Sequence, residues 1–167
     1  LELLVLFVVR VLLADLGAEV IKVETPPAGD PIRGQGGMRD GFSWYFAGFN
    51  RNKRSITLNL RTAEGMSILK DLLKSADVLV ENFRPNILDD MGLTEEVLRE
   101  LKADLVVCSI SGYGKTGPYR DRPAFDFIAQ AMSGFMSSTG YPDSEPLRAG
   151  RSEEHTSELQ SLRPSRM

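Results

Sequence analysis

The chain has 167 residues, 42% of them hydrophobic and 26% charged, a composition that supports a compact core and excludes a disordered tail. The 20 Lys and Arg against 23 Asp and Glu give a net charge of −3, which leaves no electrostatic footprint for nucleic acid or an anionic membrane surface. One cysteine, Cys108, excludes an internal disulfide, no Cys/His group has metal-ligand spacing, and the apolar run from Leu3 to Leu13 is broken by Arg10 and too short to span a bilayer. That run also lacks the basic leader and cleavage site of a signal peptide, so a reducing, cytoplasmic setting is the expectation.

Leu1 occupies the place of an initiator Met, and the natural start is expected upstream. Residues 12–16 read as the end of a helix stopped by Gly17, and residues 18–24 as a strand carried by the β-branched Val20, Ile21 and Val23. Residues 25–41 hold so many prolines and glycines that a long loop is predicted. Ser55 to Leu60 alternates at period two and predicts a strand. Thr62 then offers an N-cap to a helix whose buried side carries Met66, Ile68, Leu69, Leu72 and Leu73.

Asp77 to Val80 predicts a second short strand, Pro85 opens a short helix ending near Gly92, and Thr94 caps a helix from Glu95 to Lys102 with acids in its first turn. Leu105 to Ile110 is a near-continuous apolar run, as in a strand covered on both faces. Residues 112–123 form a second loop, and Phe125 to Ser137 has helical spacing. This alternation predicts an α/β fold, a mainly parallel sheet with helices on both faces. Residues 151–161 match the translation of a common sequencing adapter, so residues 151–167, including the only histidine, His155, are expected to be foreign to the fold.

Three motifs bear on chemistry. Residues 112–117, GYGKTG, fit the dinucleotide pattern G-x-G-x-x-G after a strand, but Pro118 and Pro123 continue the loop where that pattern needs a helix start. The embedded Gly114-Lys115-Thr116 lacks the first glycine of a P-loop, because Ser109 stands there. Asn50-Arg51-Asn52-Lys53-Arg54 follows an aromatic group of Trp44, Tyr45, Phe46 and Phe49, and reads either as a phosphate contact beside a stacking wall or as a solvated turn. Cys108, inside an apolar strand without a nearby histidine, reads as a packed residue rather than a nucleophile. Asp126 reads equally as a functional carboxylate and as a first-turn acid.

An ordered set of segments resembles the family III CoA-transferases and the related α-methylacyl-CoA racemases. The set comprises LADLGAEVIKVE at 13–24, Gly29-Asp30, NRNKRS at 50–55, DVLVENFRP at 77–85, MGL at 91–93, SGYGKTGP at 111–118 and RPAFDFIAQ at 122–130. The resemblance covers residues 12–150, the first part of such a chain, and leaves 1–11 as an atypical opening segment. It implies a Rossmann-like large domain, truncated here, in a homodimer of interlocked chains. The implied activity is transfer of CoA between carboxylic acids through an aspartyl anhydride and thioester, with acyl-CoA and free acids as substrates and no covalently bound cofactor, metal, nucleic acid or membrane partner.

Carried over by position, the resemblance gives Leu58, Arg61 and Asn82 a place in the CoA site, with Arg51, Lys53 and Arg54 in the adjoining basic motif. Phe125 stands where the racemase branch carries a catalytic histidine and the transferase branch an aromatic residue. It and Asp126 are the substrate-pocket candidates, and Phe125 favours the transferase branch. Thr25, Pro26 and Asp90 depart from positions where the family often places a basic residue. The nucleophilic aspartate belongs shortly after Gly150, where the adapter-like segment begins, so this polypeptide is expected to be inactive by itself. The alternatives are a racemase fragment and a non-catalytic CoA- or dinucleotide-binding Rossmann-like domain.

Overall fold

The computed structural model describes residues 11–124, 126–139 and 145–147. The chain divides into two units, residues 1–124 and 125–167. In the first, helix α1 (residues 11–15 as described) ends as its sequence predicts: Gly17 at φ +99° lets Ala18 N–H reach Leu13 C=O at 2.9 Å and Gly17 N–H reach Ala14 C=O at 3.2 Å. Strand β1 (Val20–Glu24) follows.

The predicted loop over 25–41 is only partly irregular. Asp30 caps a 3-10 turn at Pro31–Gly34, and β2 (Met38–Arg39) pairs antiparallel with β3 (Phe42–Ser43). Helix α2 (Trp44–Asn50) is an element the sequence reading does not anticipate, because aromatic residues are indifferent helix formers. Three contacts secure it. Ser43 Oγ accepts from Phe46 N–H at 3.0 Å while donating to Gln35 C=O at 2.5 Å, and the Tyr45 and Phe49 rings meet edge-on at 4.8 Å one turn apart.

Strand β4 (Lys53–Thr57) starts two residues before the predicted Ser55, because its parallel register with β1 runs from Val20↔Lys53 to Glu24↔Thr57. Asn59 to Thr62 then turns the chain, and Thr62 Oγ1 accepts from Gly65 N–H to open α3 (Ala63–Ser75). Leu69 and Leu73 are buried and Met66 packs beside them, whereas Ile68, expected inside, is 44% exposed.

Strand β5 (Val78–Glu81) pairs parallel with β6 (Val106–Ser109), in register from Val78↔Val106 to Glu81↔Ser109. Between them, α4 (Ile87–Asp90) begins two residues after Pro85, on Asn86 at φ +72°, and α5 (Glu95–Leu101) is capped by Thr94 as expected. Val106 is 58% exposed, so β6 is not covered on both faces; its alternate residue Val107 faces the core.

The core holds Leu69, Leu73, Leu88, Leu93, Leu98 and Leu105, with Val23, Leu79 and Val107 packed against it, so strands of both parallel pairs meet the same apolar cluster. Leu93 and Leu105 are 1% exposed, and cutting either to Ala is expected to cost 2–5 kcal/mol, as an order of magnitude. The α/β reading therefore holds, with the parallel strands arranged as two hydrogen-bonded pairs. In the second unit, α6 (Asp126–Met132) is followed by a 3-10 turn at Phe135–Ser138, so the predicted helical stretch is interrupted at Gly134. Among the described residues no helix is long and apolar enough to cross a membrane.

Candidate functional site

Parallel α/β units present ligands beyond the carboxyl ends of their strands, where the backbone turns away and loops are free to diverge. In this chain those ends carry Leu58 to Arg61 after β4, Asn82 to Asn86 after β5 and Ile110 to Lys115 after β6. Leu58 is buried, its N–H extending the ladder to Glu24 C=O at 2.9 Å. Arg61 is exposed, its backbone N–H held by Asn59 Oδ1 at 3.1 Å. Asn82 Nδ2 donates to Ile110 C=O at 2.9 Å and so ties the end of β5 to the end of β6.

A cavity of about 50 Å³ opens at the ends of β5 and β6. Its walls include Glu81, Arg84, Asp89, Ser109, Ser111 and Lys115. This has room for a carboxylate- or phosphate-sized group. Glu81 is buried and accepts from Phe83 N–H at 2.7 Å, shaping the first turn after β5. Ser109 Oγ is buried without a hydrogen-bond partner among the described residues, in register with Glu81 across the pair.

The cations divide by position. At the amino end of β4, Arg51 Nη2 lies 2.5 Å from Asp15 Oδ2, Asn52 Nδ2 lies 2.8 Å from Asp15 Oδ1, and Arg54 pairs with Glu19. Arg51 and Asn52 accordingly hold the Asp15 carboxyl below the usual carboxylate range. Lys53 Nζ donates to Phe49 C=O at 2.5 Å. Arg61, Arg84 and Lys115, which follow the carboxyl ends of β4, β5 and β6, have no side-chain ion pair or hydrogen bond among the described residues. The basic motif at 50–54 and the group Leu58 and Arg61 thus sit at opposite ends of a five-residue strand, about 16 Å long.

A buried polar cluster fixes the approach to β4. Glu24, its side chain 2% exposed, accepts from Arg33 Nε and Nη2, each at 2.8 Å, from Ser55 Oγ at 2.6 Å and from Asp30 N–H at 2.8 Å. The Arg33 guanidinium outweighs the cost of burial and, with Ser55, Asp30 N–H and Lys22, holds Glu24 down from 4.5 to about 2. Lys22 Nζ lies 2.5 Å from Asp30 Oδ2 and 2.9 Å from Asn50 Oδ1, and the Phe46 ring lies under both Lys22 and Arg33. Strand β1, the loop 25–34, α2 and β4 are locked together by these contacts.

Of the two substrate-pocket candidates, Phe125 lies outside the described residues. Asp126 opens α6 in the second unit and accepts from Gln130 Nε2 at 2.8 Å, as a first-turn acid does. Residues 112–117 lead into further turns rather than a helix, so the dinucleotide pattern lacks the helix N-terminus that would face a pyrophosphate. Cys108 is half-buried in β6. No group of three or more His, Cys, Asp or Glu that could hold a metal occurs among the described residues. Sequence reasoning did not single out Glu81 or Arg84, and weighed Ser109 and Lys115 only as positions of a P-loop. A signal for Arg84 and Lys115 was present: they lie four and five residues past Val80 and Ile110, the ends of two predicted strands.

The family model for CoA-transferase family III matches residues 4–153. The chain belongs to CoA-transferase family III. The match begins inside the opening segment that the resemblance sets aside and ends three residues past Gly150. Similar proteins are the succinate–glutarate CoA-transferase of Agrobacterium fabrum, 47% identical over 146 residues, and the formyl-CoA:oxalate CoA-transferase of Streptomyces avermitilis, 49% identical over 140 residues. Each alignment covers 83% of this chain but only 36% and 34% of the relative, so the chain spans about a third of their length. Among solved structures, a CAIB/BAIF family protein from Brucella suis superposes with a TM-score of 0.79 at 44% identity, covering 87% of this chain and 39% of that one.

Proposed function

We propose that this chain supplies the CoA-holding part of a CoA-transferase that moves CoA between carboxylic acids. The observation that carries the reading is the set of cations Arg61, Arg84 and Lys115, without an ion pair or side-chain hydrogen bond among the described residues, after the carboxyl ends of three parallel strands in a chain of this family. Leu58 supplies apolar contact, Arg61 meets an anionic group of CoA, and Asn82 holds the ends of β5 and β6 at the spacing the ligand needs. Arg51, Lys53 and Arg54 belong to the outer rim of this reading, since Arg51 and Arg54 must exchange a carboxylate partner before they meet a phosphate.

In the proposed reaction a carboxylate of the whole protein attacks the acyl-CoA thioester carbonyl. The C–S bond breaks, CoA leaves as thiolate, and a mixed anhydride forms. The thiolate then attacks the enzyme-derived carbonyl of that anhydride, releasing the donor acid and leaving an enzyme thioester. The acceptor carboxylate repeats the two steps in reverse. Such intermediates survive only where water is kept out. In this proposal the attacking aspartate is not among residues 151–167, which contain no Asp. The interlocked homodimer belongs to the same proposal.

The test is direct titration of the 167-residue chain with CoA, NAD and FAD, followed by an assay for exchange between succinyl-CoA and a free acid. Binding of CoA alone, without turnover, is the expected result. Binding of NAD or FAD in preference to CoA would replace the reading with a dinucleotide-binding domain. Turnover by this chain alone would show that a carboxylate within it serves as nucleophile.

A further inference from the structure

Of 15 Lys and Arg among the described residues, most are held by carboxylates, backbone carbonyls or aromatic rings. Arg84 and Lys115 are not, although both line one cavity whose wall also carries two carboxylates, Glu81 and Asp89. An ion pair would be the cheap way to satisfy these four charges, and none is formed within 4.0 Å. The same cavity holds the buried Ser109 Oγ, which has no hydrogen-bond partner among the described residues and is an unfilled group of a kind that native interiors avoid. Two exposed cations and an unfilled hydroxyl around a space of about 50 Å³ match an oxyanion that takes charge-assisted bonds from the cations and one from the hydroxyl.

We infer that Arg84, Lys115 and Ser109 form an oxyanion subsite in which Lys115, from the glycine-bearing loop after β6, is a ligand-binding residue. This deepens the proposed function and rests on it, since the oxyanion is either a phosphate of CoA or the free carboxylate of a dicarboxylic substrate. Gly114 at φ +76° and Gly117 at φ +95° suit this role, because they turn the backbone on either side of Lys115 instead of opening a helix for a dinucleotide.

The test titrates the full 167-residue chain and its Lys115→Ala, Lys115→Met, Lys115→Arg and Ser109→Ala variants with CoA, pantetheine, succinate and inorganic pyrophosphate. Lys115 is exposed and in a loop, so its variants are expected to melt with the wild type. Loss of the lysine is expected to weaken CoA about tenfold and pyrophosphate similarly, to leave pantetheine unchanged, and to be restored by Lys115→Arg. Ser109→Ala is expected to weaken the same ligands about threefold. If succinate rather than CoA loses affinity, the subsite stands and its anion is a carboxylate. Unchanged affinity for all three anions overturns the subsite while leaving the proposed function intact. Absence of CoA binding in the wild type removes the proposed function; pyrophosphate binding that depends on Lys115 would then still support the subsite, and its absence would overturn both.

Discussion

Substituting Glu24 by Gln tests whether the buried cluster beneath the site is held by charge. The carboxylate has four donors at 2.6 to 2.8 Å, and its lowering from 4.5 to about 2 corresponds to about 3 kcal/mol at 1.36 kcal/mol per unit. Because the Arg33 side chain is 40% exposed, solvent screening reduces the expected figure to about 2 kcal/mol. A carboxylate whose folded value is depressed contributes fully above its unfolded value, near 4.5, and loses that contribution as the pH falls toward 2. Glu24→Gln should therefore lower the unfolding free energy by about 2 kcal/mol at pH 6, and the gap to the wild type should shrink to less than half at pH 3. Urea denaturation at the two pH values, followed by circular dichroism, measures both quantities. A gap below about 0.5 kcal/mol at pH 6, or one independent of pH, would refute the charge argument.

Three further outcomes follow from particular contacts. Gly65→Ala should destabilise by about 2 kcal/mol or more, although Ala is ordinarily the better helix residue, because its Cβ would sit 2.1 Å from Asn59 C=O; a stabilised variant in thermal melts would contradict this. Thr62→Ala should cost about 1 kcal/mol through loss of the α3 cap, and Thr62→Ser should recover most of it in the same melts. Arg61→Ala should weaken CoA binding in calorimetric titration more than Arg51→Ala does, because Arg51 is already engaged by Asp15 at the other end of β4; the reverse ranking would move the site to the basic motif.

Elements whose signals are local were legible in the sequence. Thr62 and Thr94 announced α3 and α5 because a hydroxyl cap and an apolar period of one turn both lie within a few residues. Gly17 stopped α1 for a similarly local reason. Helix α2 was not legible, since its cap, Ser43, is itself fixed by Gln35 eight residues earlier, and the start of β4 was set by β1 rather than by its own alternation. The polar cluster around Glu24 joins residues 9 and 31 positions away, which no periodicity encodes.

The candidate site divides in the same way. Leu58, Arg61 and Asn82 were reached through resemblance, and the structure places them at the carboxyl ends of β4 and β5. The basic motif at 50–54 looked like one cationic patch in sequence, but Asp15 and Glu19, 36 and 35 positions earlier, neutralise two of its charges. Lys115 was weighed only as a nucleotide-loop lysine, because the cavity it shares with Arg84 and Ser109 exists only once β5 and β6 are paired.

In the proposed function the carboxyl ends of the parallel strands, not the basic motif, hold CoA. Amide hydrogen exchange of the chain with and without saturating CoA tests it most directly. New protection is expected at residues 58–62, 81–86 and 109–115 and none at 50–54. Protection centred on 50–54, with the strand ends unchanged, would contradict it.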